Sequence, residues 1–162
     1  MAELQDNNMT KLEIENFEEF KKLEGKQLPD GDWMTVTQEM INDFAKATGD
    51  FQWIHIDVEK AKKHSPFKKP VAHGFMSVSL LSKMLEGSIH VKSAQMGVNY
   101  GLNKVRFPSP VLVDSRLRLV GSISNIKNYG DTGLKVTWNC TIEIEGSEKP
   151  ACVAEFLSLM FE

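Results

Sequence analysis

The hydrophobic pattern of the chain changes character near Gly87. Before it, apolar residues recur at helical spacing; after it, they alternate. In residues 15–28, Phe17, Phe20, Leu23 and Leu28 fall roughly on one helical face, with Gly25 as a stop and Pro29, Asp30 and Gly31 as a turn. Residues 32–37 alternate well enough for a short strand. Thr37 is a candidate N-cap for a helix that puts Met40, Ile41, Phe44 and Ala45 on one side, and Gly49 ends it. Asp57 reads as the cap of a short helix over 58–64, followed by a loop set by Pro66 and Pro70. Then Phe75, Met76, Val78, Leu80, Leu81, Met84 and Leu85 leave almost no polar face, which predicts a buried helix.

Four strand-like runs follow, over 95–107, 111–128, 133–146 and 151–161. The alternation is clear at Val136, Trp138, Cys140, Ile142 and Ile144. Short turns between three long strands favour an antiparallel meander. A sheet curled around one helix buries both partners, which is the hotdog arrangement. The expected class is therefore α+β, an antiparallel β-sheet wrapped around a central buried helix. Residues 1–12 read as a loose end. The expected organisation is an N-terminal tail and helix over 1–30 and a single domain over 31–162.

Composition narrows the function. The 162 residues carry a net charge of −3 and 25% charged residues, so no basic field exists to attract nucleic acid. The longest apolar run, near residue 80, is broken by Ser77, Ser79, Ser82 and Lys83, too short and too polar to cross a bilayer. The first sixteen residues are acidic and lack an apolar stretch, so no secretory signal is expected. Cys140 and Cys152 have no CxxC partner and read as buried thiols in a reducing cytoplasm.

The chemistry-bearing stretch is TGDFQWIH, where Asp50 and His55 flank Phe51, Gln52, Trp53 and Ile54. On a helix, five positions are about 500° of turn, which separates the pair. On a strand, odd spacing sends them to opposite faces. On irregular chain after Gly49 they can converge and hold one water, with a carboxylate to accept a proton and an imidazole to accept or donate one. Otherwise Asp50 is a polar residue at a helix end and His55 a packing residue. Downstream, His73-Gly74 precedes the apolar helix, whose free N–H groups suit a thioester oxyanion. A glycine there either lets a ligand approach or simply eases a tight turn. Phe51, Trp53, Phe75 and Met76 are candidates for an apolar slot. Ser79 and Ser82 either touch the site or bond the carbonyl one turn back. Asn103, Lys104 and Arg106 meet carrier phosphates or the active-site rim, or are solvated edge groups. His55, His64, His73 and His90 match no metal-ligand spacing, so no metal is expected.

The stretch from Thr48 to Leu85 resembles the hydratase motif of the MaoC-like family, which includes the (R)-specific enoyl-CoA hydratases. GDFQWIH, NYGLNKVRFPSPV and KPACVAE resemble the nodulation protein N-like branch. The resemblance covers about residues 35–160. It implies a hotdog fold, a homodimer or a dimer of dimers, and reversible hydration of a trans-2-enoyl thioester of coenzyme A or acyl carrier protein. Coenzyme A enters as part of the substrate, and no cofactor is expected. The family's catalytic acid and histidine map to Asp50 and His55, and its oxyanion N–H to Gly74. Gln52, His73, Ser79, Asn103 and Arg106 are carried as substrate-side candidates. Many hydratases have Asn-Pro where this chain has Gln52-Trp53; the amide is kept, and the indole narrows the acyl slot. Two other readings remain beside the hydratase: a hotdog acyl-thioesterase, and a non-catalytic acyl-thioester-binding hotdog protein.

Overall fold

The computed structural model describes residues 11–162. Its frame is a five-stranded antiparallel sheet built from β2 (Met34–Thr35), β4 (Met96–Arg106), β5 (Arg116–Tyr129), β6 (Gly133–Ile144) and β7 (Cys152–Phe161), in the order β2-β5-β6-β7-β4. The alternation read from the sequence is what curls it. Leu117, Leu119, Ile123, Val136, Trp138, Cys140, Ile142 and Phe156 all point to one buried side. Bulges between Ile123 and Asn125, Asn99 and Gly101, and Leu102 and Lys104 break the register and raise the local twist.

β5, β6 and β7 form the expected meander, but β4 does not join it in sequence order. It crosses to pair with β7 at the far edge. The reason is that β5 has both its edges occupied, by β2 and the Gln27 bridge on one side and β6 on the other.

The helices α5 (Gly74–Ser79) and α6 (Leu81–Ser88) lie in the curl of the sheet. Met76, Leu81, Met84 and Leu85 join the sheet residues in one core. Two features differ from the predicted all-round buried helix. The helical run is interrupted at Leu80, and one face is open, with Phe75 70% exposed and Ser79, Ser82 and Glu86 beside it on the surface. A curled sheet covers only one side of a helix, and none of the described residues covers the other.

The caps behave as the sequence predicts. Thr37 accepts from the Met40 N–H and starts α2 (Gln38–Thr48), while Gly49, at φ 77°, ends it in a left-handed conformation suited to glycine. Asp57 caps α4 (Val58–His64) by accepting from the Lys60 N–H. Between them, the stretch expected to be irregular forms a single turn, α3 (Trp53–Ile56). Near the N-terminus the helix is shorter than expected, α1 (Phe17–Lys21), and Phe17 and Phe20 are buried in the shared core. The loose end expected for 1–12 lies outside the described residues as far as 10; Leu12 opens β1 (Leu12–Ile14), which pairs in parallel with β3 (Ile89–Val91). That pairing had no short-range signal. Cys140 and Cys152 are free and buried, and burial pushes their thiols up to about 12 and about 11. No helix among the described residues is long and apolar enough to cross a membrane.

Ile142 sits fully buried at the middle of the sheet. Replacing it with alanine should cost about 2–5 kcal/mol of stability, read as a lower denaturant midpoint at unchanged slope.

Candidate active site

Two segments meet at the site. The first runs from Gly49 through α3; the second is the extended stretch Val71–His73 that leads into α5. They are joined by main-chain and side-chain bonds. The Val71 N–H donates to the Ile54 carbonyl at 3.0 Å, and the His55 Nδ1–H donates to the Val71 carbonyl at 2.5 Å. A carbonyl only accepts, so the His55 proton lies on Nδ1 and Nε2 is left bare. Gln38, on α2, steadies the same residue from behind by donating Nε2–H to the His55 carbonyl at 2.8 Å. Burial pushes the His55 imidazolium below its ordinary range, with the neighbouring His73 ring acting in the same direction; the Val71 carbonyl and Asp50 oppose them.

His73 is 3% exposed and caps nothing with its side chain. Its Nε2–H donates to the Asp50 main-chain carbonyl at 2.9 Å. Its ring stacks on His55 with centroids 3.8 Å apart and planes 25° from parallel, and Phe44 packs against it at 5.0 Å. The Asp50 side chain is 55% exposed. One carboxylate oxygen and one nitrogen from each of His55 and His73 lie within 4.8 Å of one another. A water that hydrogen-bonds two groups spans up to about 5.5 Å between them. The acid and the imidazole are therefore close enough to share one.

The same trio could be drawn as a metal site, but the geometry does not fit. Imidazole lone pairs lie in the ring plane, so two stacked rings aim theirs side by side rather than at a common ion. His73 Nε2 is in any case protonated and bound to Asp50.

Gly74 begins α5, so its N–H has no carbonyl a turn back. It shares a cavity of about 330 Å³ with His55, Phe67, Val71, Ser77 and Phe107. The glycine does not leave room for a ligand on its Cα. A Cβ there would come within 3.0 Å of the Phe107 ring, so the missing side chain is what lets Phe107 pack. A second cavity of about 390 Å³, between α6, β3 and the sheet, is lined by Ser82, Leu85, Trp138 and Phe156 among others.

The other sequence candidates are distributed differently. Gln52 is exposed; its N–H reaches only 3.4 Å from Asp50 Oδ1, and its carbonyl accepts from the His55 N–H. Ser79 donates to the Phe75 carbonyl at 2.7 Å, the helix back-bond, so its hydroxyl is occupied within the helix. Ser82 donates to Asn99 Oδ1. Asn103 and Arg106 lie on β4, where Asn103 donates to Glu155 and Arg106 to the Val105 carbonyl. Neither lines the His55 cavity, although Phe107, the residue after Arg106, does. Of the expected slot residues, Phe51 and Phe75 are exposed, Trp53 lies under Lys60, and Met76 is in the core. The aromatic residues that do line the cavity are Phe67 and Phe107. Gln38, the Val71 carbonyl and Phe107 were missed. Main-chain acceptors leave no trace in side-chain patterns, and Gln38 reads in sequence only as the first polar residue of a helix.

A model of the MaoC-like domain matches residues 19–143. The 3-hydroxyacyl-thioester dehydratase Z of Mycobacterium tuberculosis is 48% identical over 131 residues, 81% of this chain and 86% of that protein. Nodulation protein N of Rhizobium leguminosarum bv. viciae is 41% identical over 137 residues, 84% and 85% of the two chains. Among solved structures, an Archaeoglobus protein described as a monoamine oxidase regulatory protein superposes with a TM-score of 0.72 at 25% identity, over 93% of this chain and 96% of that one. The (R)-hydratase of A. caviae involved in PHA biosynthesis superposes at 0.64 and 19% identity, over 82% and 95%, a likeness of fold. The curled sheet around α5 and α6 is the hotdog fold of these neighbours. With matches of this extent to both model and relatives, the chain belongs to the MaoC-like dehydratase family, alongside dehydratase Z and nodulation protein N.

Proposed function

We propose that this chain is an (R)-specific enoyl-thioester hydratase, working in either direction on a trans-2-enoyl-CoA or acyl-carrier-protein substrate. The observation that carries the reading is a His55 ring whose Nε2 is left bare, with an Asp50 carboxylate oxygen within 4.8 Å of a nitrogen of that ring. In hydration, a water held by both groups gives a proton to Nε2 as its oxygen bonds to C3. The C2–C3 π electrons move toward the thioester, and the Gly74 N–H meets the oxygen that gains charge. The proton on Nε2 then passes to C2, which returns His55 to its starting form. Dehydration is the same path reversed. His55 must be neutral at the start, which its burial favours. Support also comes from the relatives, one of which is described as a 3-hydroxyacyl-thioester dehydratase.

The working form in this reading is a homodimer joined along β4. Among the described residues that strand pairs on only one side, and Met96, Val98, Tyr100 and Leu102 are exposed on it at 53%, 40%, 52% and 39%. An unpaired edge of this length with apolar side chains is a surface that soluble proteins cover. A second copy also stands to cover the open face of α5 and α6. The compartment proposed for the enzyme is the cytoplasm.

Three outcomes are expected. With crotonyl-CoA, loss of the enoyl absorbance should yield the (R)-3-hydroxy product. Asp50→Asn and His55→Gln should each lower kcat about 10²–10⁴-fold while the fold persists. Wild-type turnover in either variant, or a purely (S) product, rejects the reading; release of free thiol instead indicates a thioesterase. Second, the acid limb of kcat/KM should have its midpoint below about 6.5, the ordinary histidine value. The sign for stability follows: the unfolded chain takes up the His55 proton first, so stability falls as pH drops below about 6.5 toward the folded-state value. Urea midpoints at several pH values, compared with His55→Gln, isolate that contribution. Third, Val98→Lys with Tyr100→Glu should shift the sedimentation coefficient from dimer to monomer; an unchanged wild-type monomer would end the dimer reading.

A further inference from the structure

We propose that His73 is the positioning residue of this site, an imidazole that holds the Asp50 main chain and the His55 ring at the spacing where both reach one water. The inference rests on the hydratase reading above and adds a residue with no atom free for substrate. Nε2 is engaged by the Asp50 carbonyl, and Nδ1 is buried with no hydrogen-bond partner among the described residues.

Asp50 needs such a hold. It follows the left-handed Gly49, its carboxylate is exposed, and its other local ties are long, 3.4 Å from its own N–H to Thr48 Oγ1 and 3.4 Å from the Gln52 N–H to Oδ1. The 2.9 Å bond from His73 is the short one. His55 needs a hold of a different kind. The bond from Nδ1 to Val71 fixes one point of the ring, and a ring fixed at one point can still tilt about it. Stacking against His73 at 3.8 Å fixes its plane, and so the direction of the bare Nε2 lone pair. His73 itself cannot tilt, because Phe44 packs against it and it is 3% exposed. Its own main chain continues directly into Gly74, the N–H donor. One side chain thus joins the acid, the base and the oxyanion donor, which come from two separate segments.

Two substitutions separate the parts. His73→Phe keeps a stacking ring and removes the donor; His73→Gln keeps an N–H at the place of Nε2 and removes the ring. Crotonyl-CoA hydration by the His73→Phe protein should show kcat lower on the order of 10²-fold, since a misplacement of about 1 Å costs that much. KM should stay within about 3-fold, because no substrate contact is lost. His73→Gln should recover roughly tenfold of the loss. Wild-type kcat in His73→Phe, or KM rising in step with the fall in kcat, overturns the proposal. Imidazole ¹⁵N spectra of the wild type give a test that needs no turnover. At about pH 8, His73 should be protonated on Nε2 and bare on Nδ1, and His55 the reverse. The opposite tautomer in either ring overturns it equally. A wild type inactive on enoyl thioesters removes the hydratase reading, and the spectra still decide the arrangement of the two rings.

Discussion

The hydrogen bond from His55 to the Val71 carbonyl is the constraint on which the rest of the site hangs. It joins the two ends of the excursion formed by α4 and the loop to Pro70, and it settles which imidazole nitrogen is free. Had Nδ1 faced water, the ring would present its proton rather than its lone pair. A side-chain acceptor could rotate away, whereas a main-chain carbonyl bound into the Val71–Leu112 bridge cannot. The chemistry therefore depends on an atom that every residue possesses, placed by backbone geometry alone.

Behind this bond stands the sheet. Val71 and Ala72 are tied to the 111–113 segment through the Ala72 N–H to the Val111 carbonyl and the Val113 N–H to the Pro70 carbonyl. That segment leads into β5, whose buried residues fill the core with those of α5 and α6. The site is rigid on this side and open on the other. Asp50 and Phe75 face outward, and among the described residues β4 ends the sheet with an unpaired edge. One half of the arrangement is fixed by its own core, and the other is exposed.

Glycine and aromatic residues divide the labour around His55. Gly74 yields its Cβ volume to Phe107, which with Phe67 walls the cavity. The apolar residues inside the Asp50–His55 stretch are not the lining. Phe51 is exposed and Trp53 carries Lys60 on its ring. The low polarity around the imidazole comes from residues distant in sequence, because a one-turn helix can direct only one of its four side chains, His55, into the interior.

Local signals were sufficient where the physics is local. Thr37, Gly49 and Asp57 mark their helix ends because caps are satisfied within three or four residues, and the alternation in β5, β6 and β7 reports a half-buried sheet. The motif of acid, histidine and His-Gly, together with its family, was legible for the same reason, since it is a matter of spacing and residue type. The tertiary structure alone decided that β4 crosses to the far edge, that α5 and α6 keep an exposed face, that Phe107 rather than Asn103 or Arg106 lines the His55 cavity, and that His73 stacks on His55. These depend on which edges are already occupied and which main-chain groups meet, and such pairings between distant residues are set by the packing of the whole chain, which no short stretch of it encodes.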